Sequence, residues 1–234
     1  MSTRAGVTPR PEANSIPALV KCGRLLSSLA VLGADRDASP NWAKVSSDFS
    51  LAIMTSTGFK ELPQKLNLGC GRRRIAGALN VDINRDVEPD LEYDLDRLPW
   101  PLPADHFIEV FAYDVIEHCV NVLAVMEEIH RVTREGAVVR ITVPHFSCAN
   151  AFTDPTHRHF FGISSFNYVT GYDNFALYTK GRFRSRVRNL IFYPYLLNRL
   201  ARRMANRWPE RYERRWTWLF PAWFIYFELE VVKG

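Results

Sequence analysis

The 234-residue chain has no apolar run of the length needed to cross a bilayer, which takes about 20 residues in a helix. Membrane contact is therefore expected to be peripheral. Its four cysteines, at 22, 70, 119 and 148, have no paired spacing, so neither a disulfide framework nor a zinc ribbon is indicated, and a reducing cytoplasm fits best. The phosphate-loop signature Gly-Lys-Ser/Thr is missing, which disfavours a nucleoside triphosphate. No His-X-X-X-His pair occurs either, so nothing fixes a metal geometry, and none is expected.

What is there suits one enzyme-sized domain: 47% of the residues are hydrophobic, enough at this length for a single large core. The domain is expected over residues 61–234. Residues 1–60 read as a poorly ordered extension, polar and proline-marked around one apolar stretch at 25–34. Lys21 and Arg24 before that stretch imitate a signal peptide, but it starts late and is short. Met54, eleven residues before Lys65, offers an alternative start that keeps the domain whole.

The informative centre is Lys65-Leu66-Asn67-Leu68-Gly69-Cys70-Gly71, followed by Asn80-Val81-Asp82-Ile83-Asn84. An apolar strand breaks into a Gly-X-Gly turn, and a second apolar strand ends in Asp. The glycines let backbone approach a ligand closely, and the carboxylate can accept from a ribose diol. A nicotinamide dinucleotide would want a third glycine at 74, where this chain has Arg74.

With these landmarks, residues 66–144 resemble class I S-adenosylmethionine-dependent methyltransferases of the type 11 kind. The resemblance implies an α/β, Rossmann-like, doubly wound and mostly parallel seven-stranded sheet with an antiparallel final strand. It implies S-adenosyl-L-methionine as cofactor. Leu68, Gly69, Cys70 and Gly71 would meet its methionine part, Asp82 its ribose, and Asp94-Leu95, after a third strand at 91–94, its adenine. Phe111-Ala112-Tyr113-Asp114-Val115-Ile116-Glu117-His118 is similar to the family's fourth-strand segment ending in Glu-His, which places Tyr113 and Asp114 beside the cofactor. A helix over 122–132, a helix stop at Glu135-Gly136 and a buried fifth strand at 137–144 follow in the family's order. One departure stands out: only ten residues separate Gly71 from Asp82, too few for a full crossover helix. Residues 72–77 form either a tight crossover or a hairpin, and a hairpin would remove the ribose role of Asp82. A subgroup linked to surface-glycan pathways resembles the chain here.

Beyond Pro144, residues 145–160 hold three of the six histidines. Methyl transfer to a hydroxyl needs an aligned acceptor and removal of its proton, which suits imidazole. His145 is the first candidate base and His157 the second, with Asp154 able to orient an imidazole. The alternative is a turn capped by Asp154 with the histidines merely packed.

Residues 180–215 carry twelve Lys or Arg against two Glu, a local net of +10 within a total of +5. Arg182, Arg184, Arg186 and Arg188 alternate as on an edge strand. Leu196, Leu197, Leu200 and Met204 share one face of a helix over 196–208. Aromatics follow at 216–224, then a last strand over 225–232. A basic helical insertion at about 194–222 is thus expected between two final strands.

The expected function is O-methylation of a sugar-containing or other small acceptor in the cytoplasm, with peripheral membrane contact through 194–224. Two alternatives remain open: a non-catalytic binding or scaffold protein, and an RNA methyltransferase using the basic patch. Nucleobase methylation is disfavoured, because Tyr113-Asp114-Val115-Ile116 is not the Asn/Asp-Pro-Pro-Tyr pattern of amino-group enzymes.

Overall fold

A computed structural model describes residues 61–171 and 182–234. The expected extension at 1–60 lies outside them. Seven strands form one sheet: β1 (Lys65–Leu68), β2 (Ala78–Asp82), β3 (Leu91–Glu92), β4 (Phe107–Tyr113), β5 (Thr133–Pro144), β6 (Arg182–Ile191) and β7 (Phe224–Val232). Their spatial order is β3-β2-β1-β4-β5-β7-β6. Pairings among β1 to β5 are parallel, and β7 runs antiparallel to both β5 and β6. All strands but β7 therefore end on the same edge. The order reverses at β1, where such sheets open a crevice for ligands.

The main helix, α1 (Val122–Val132), starts at Asn121, whose side chain accepts from the Ala124 amide at 3.1 Å as an N-cap does. Its Val125, Met126, Ile129 and Val132 are buried with Leu66, Leu68, Val110, Val139 and Ile141 in one core. Glu128 is buried too. It accepts from the Trp100 amide at 2.6 Å and pairs with Arg131, which also donates to the carbonyls of Trp100 and Leu102. One ion pair thus clamps the long β3–β4 connection onto α1.

The ten-residue gap is a true crossover, since β1 and β2 are parallel. Its helix is replaced by hydrogen bonds. Asn67 donates to the Arg73 carbonyl and to Asn80 Oδ1, both at 2.9 Å, and Asn80 Oδ1 also accepts from the Ile75 amide at 2.8 Å. Asp90 receives both the Asn80 amide and its side chain, and Arg74 reaches Asp90 and the Glu88 carbonyl. Two buried asparagines satisfy the turn's polar groups, which water would otherwise have to do.

Two boundaries differ from the expectation. β3 closes at Glu92, before Asp94. α1 covers the expected residues and stops at Val132, where Thr133 folds its hydroxyl back to the Ile129 carbonyl at 2.7 Å. β5 then starts at Thr133, four residues early, because a register shift absorbs residues 134–137 and Gly136 sits at φ +74° inside it. The glycine serves a bulge, not a helix stop.

Between β6 and β7 lie α4 (Leu196–Arg207) and α5 (Pro209–Arg215); two single turns, α2 (Asn150–Thr153) and α3 (Asn167–Thr170), precede β6. Asn206 of α4 accepts from the Leu190 amide at 2.7 Å and donates to its carbonyl at 2.9 Å. It stands in for a neighbouring strand on the free edge of β6.

Candidate active site

The glycine turn closes the carboxyl end of β1. Gly69 and Gly71 adopt φ of +58° and +47°, a region costly for other residues. At Gly69 a Cβ would lie 2.3 Å from Val115 Cγ2, so the turn packs hard on the segment after β4. At Gly71 a Cβ would meet nothing within 4 Å, leaving that backbone open to a ligand. The Gly71 amide donates to Asp82 Oδ2 at 2.8 Å, and Asp82 Oδ1 accepts from the Asn84 amide at 2.8 Å. Each oxygen keeps one lone pair for a further donor. Leu68 and Cys70 are buried, and burial raises the Cys70 thiol pKa, with the Asp82 charge adding to it.

Asp94 lies two residues beyond β3, its Oδ1 accepting from the Asp96 amide at 3.0 Å and its Oδ2 3.6 Å from Arg97. Leu95 packs against the core. Tyr113 ends β4 under the guanidinium of Arg73, 5.6 Å from its ring centre. Asp114 takes φ +57° and accepts from the Thr142 hydroxyl at 2.7 Å. A non-glycine residue held in this region is strained, and such strain gathers at functional sites.

His145 and His157 go to different places. His145 is 0% exposed. Its Nδ1 accepts from the Ser147 amide at 3.1 Å, so Nε2 is the nitrogen that donates to Glu213 of α5, 3.1 Å away. Glu213 also accepts from the Ile163 amide. Both ring nitrogens are thus occupied in a tether that ties α5 to the end of β5, and no lone pair is left to take a proton from a ligand. His157 lies instead beside the β4 end. Its Nδ1 is 3.2 Å from the Ala151 carbonyl, and its Nε2 is 4.0 Å from Glu117 and 3.9 Å from Asp154. Asp154 caps its own turn, receiving the Thr156 amide and hydroxyl, which hold its carboxyl below the usual range.

Glu117 and His118 were not expected as site residues, although the Glu-His pair is visible in the fourth-strand segment. They form a 3₁₀ turn, Ile116–His118, directly after β4. The Glu117 carbonyl accepts from the amides of Arg158 and His159, which brings the histidine loop alongside. His118 packs edge-on against His157, ring centres 4.7 Å apart. Burial pushes the Glu117 carboxyl up to about 8, with Asp114 and Asp154 adding to it, and burial with the neighbouring His157 lowers His118. His159 points elsewhere, to the Cys119 carbonyl at 2.9 Å.

In the insertion, α4 buries Ala201 and Ala205, while Leu196 and Leu200 are 79% and 74% exposed. Tyr195, Trp208, Trp216, Trp218 and Leu219 are exposed as well. Of the apolar face expected from spacing, Leu196 and Leu200 point outward, while Met204 is half-buried.

No protein-family model matches the chain, and no curated protein sequence does. Likeness appears at the level of structure. An S-adenosylmethionine-dependent methyltransferase from Archaeoglobus fulgidus superposes with a TM-score of 0.52 at 16% identity, over 81% of this chain and 94% of that one. A candidate methyltransferase from Bacillus halodurans gives 0.51 at 13% identity, over 80% of this chain and all of that one. The chain has the fold of the class I S-adenosylmethionine-dependent methyltransferases, with the single antiparallel strand β7 between β5 and β6.

Proposed function

We propose that this protein is an S-adenosylmethionine-dependent methyltransferase acting on the oxygen of a sugar-containing or other small acceptor at a membrane surface. The observation that carries the reading is the hydrogen bond from the Gly71 amide to Asp82 Oδ2, which ties the glycine turn to the β2 carboxylate at the point where strand order reverses. The Gly69–Gly71 backbone would hold the methionine part, Asp82 the ribose, and Asp94 with Leu95 the adenine, while Tyr113 and Asp114 border the pocket. When bound, the cofactor supplies an electrophilic methyl group on a sulfonium.

The chain's own task is to align the acceptor and free its oxygen of a proton. As the new C–O bond forms and the C–S bond breaks, the hydroxyl proton must leave toward the protein or water. Glu117, His118, His157 and Asp154 stand at that edge, and they take the role first considered for His145, which the buried tether to Glu213 occupies otherwise.

Peripheral membrane contact is supported by the outward Leu196 and Leu200 among Arg199, Arg202, Arg203 and Arg207. Such a helix lies in the interface with its leucines in the acyl region and its arginines on anionic headgroups. Among the described residues no helix is long and apolar enough to cross a membrane. β6 ends on the same edge of the sheet as β1 to β5, and the insertion follows it there; in this reading the acceptor is lipid-linked. A cytoplasmic setting, where the cofactor is made, fits the same reading.

Calorimetric titration with S-adenosylmethionine and S-adenosylhomocysteine, beside NAD as control, tests the assignment. Micromolar binding of the first two supports it; no binding favours a scaffold. RNA as acceptor would instead give an affinity that falls steeply with salt.

A further inference from the structure

Glu117, His118 and His157 each present one ligand atom, and the three atoms lie within 4.8 Å of one another. The Glu117 side chain is 1% exposed, and neither carboxylate oxygen has a hydrogen-bond partner. A buried carboxyl group left without a donor is costly, so its surroundings call for a counter-charge.

The imidazoles do not provide one as they stand. A carbonyl can only accept, so Nδ1 of His157 carries the proton shared with Ala151, and Nε2 is left with its lone pair toward Glu117. The Thr156 hydroxyl donates to Asp154 Oδ1 at 2.6 Å, so it accepts from Nδ1 of His118 at 2.9 Å. Nε2 of His118 is thereby also left with its lone pair. Each ring has an outer oxygen partner that fixes its tautomer, the arrangement usual for histidines that bind metal. The site thus gathers imidazole lone pairs beside a buried carboxyl group that has no hydrogen-bond partner.

We infer that Glu117, His118 and His157 bind one divalent transition-metal ion, of which zinc is the representative, with Asp154 at the rim. Two imidazoles and one carboxylate suit zinc, cobalt or iron rather than magnesium or calcium, which prefer all-oxygen sites. Metal–ligand bonds of about 2.0–2.2 Å need ligand atoms closer than they now stand, so binding draws the carboxylate and rings together. Three protein ligands leave further positions open. Their use rests on the methyltransferase reading above: an open position would take an acceptor oxygen and make its hydroxyl more acidic. Val115, on which the glycine turn packs, is two residues from Glu117, so the ion sits beside the cofactor edge. The binding of the ion itself does not depend on that reading.

The test uses the full chain, stripped with chelator and titrated with zinc by calorimetry and with cobalt by visible absorption. Wild type is expected to take up one equivalent with ligand-field bands. Glu117→Gln and His157→Ala are expected to weaken uptake at least 100-fold, and His159→Ala to leave it unchanged. Circular dichroism and S-adenosylhomocysteine titration of each variant show whether the fold and cofactor site persist. Absence of stoichiometric uptake by wild type, or uptake unchanged in Glu117→Gln and His157→Ala, overturns the inference. Loss of S-adenosylhomocysteine binding with zinc uptake intact would overturn the methyltransferase reading instead and leave the metal site standing.

Discussion

Two carboxylates stand at the ligand edge of the same sheet, and their surroundings are opposite. Asp82, the last residue of β2, has a backbone amide on each oxygen; Glu117, after β4, has no hydrogen bond on either. Asp82 is half-buried and finished locally, its geometry set by the turn it closes. Glu117 is deeper and unfinished, and faces two imidazoles that offer it only lone pairs. In the proposed function, the cofactor half of the site is built before any ligand arrives, whereas the acceptor half is completed by something the chain does not itself supply.

The largest effect that would break this contrast is at Glu117. Glu117→Gln keeps shape and removes the ability to ionise, and it is expected to abolish methyl transfer and cut zinc affinity at least about 100-fold, beyond the 10–100-fold typical of an outer-shell change. Activity and metal content near wild type would put the two carboxylates on the same footing. On the finished side, Gly69→Ala forces a Cβ into Val115 at positive φ. It is expected to destabilise the fold by about 2–4 kcal/mol and to weaken S-adenosylhomocysteine binding, both read from thermal melts with and without ligand.

A smaller effect sharpens the role of His145. Glu213→Ala leaves the buried imidazole and the Ile163 amide without an acceptor, an expected loss of about 1–3 kcal/mol in unfolding free energy with cofactor affinity spared. If instead turnover falls and stability holds, the tether is a catalytic pair. Smallest in stability terms, Leu196→Glu with Leu200→Glu changes side chains that are already exposed. The melt should not move, while binding to anionic lipid vesicles in a sedimentation assay should fall about tenfold or more.

Legibility in the sequence followed the same divide. The glycine turn and Asp82 could be read because local backbone chemistry specifies them: positive φ at Gly69 and Gly71 and a carboxylate at a strand end. The mostly parallel seven-stranded sheet with an antiparallel final strand followed from the resemblance they anchor. What could not be read depended on distant contacts. Asn67 and Asn80 are polar residues inside apolar strands, a visible oddity whose meaning, a crossover held without a helix, needs both strands in place. Glu117 was quoted without a role because its burial is made by the 154–159 loop folding back on it. His145 looked available for catalysis from its place after Pro144; Glu213, 68 residues later, is what engages it. Leu196 and Leu200 have the spacing of a core-facing stripe, yet Ala201 and Ala205 are what α4 buries, since their small side chains let the helix lie close to β6 and Asn206 reach its edge.

The central claim is that the turn at Gly69–Gly71 and the Asp82 carboxylate form the S-adenosyl site. It is tested most directly by titrating wild type and Asp82→Ala with S-adenosylhomocysteine. The account predicts micromolar binding by wild type and a loss of about 1–3 kcal/mol in the variant, the scale of a hydrogen bond to a charged group. No binding by wild type, or equal affinity in both proteins, would contradict it.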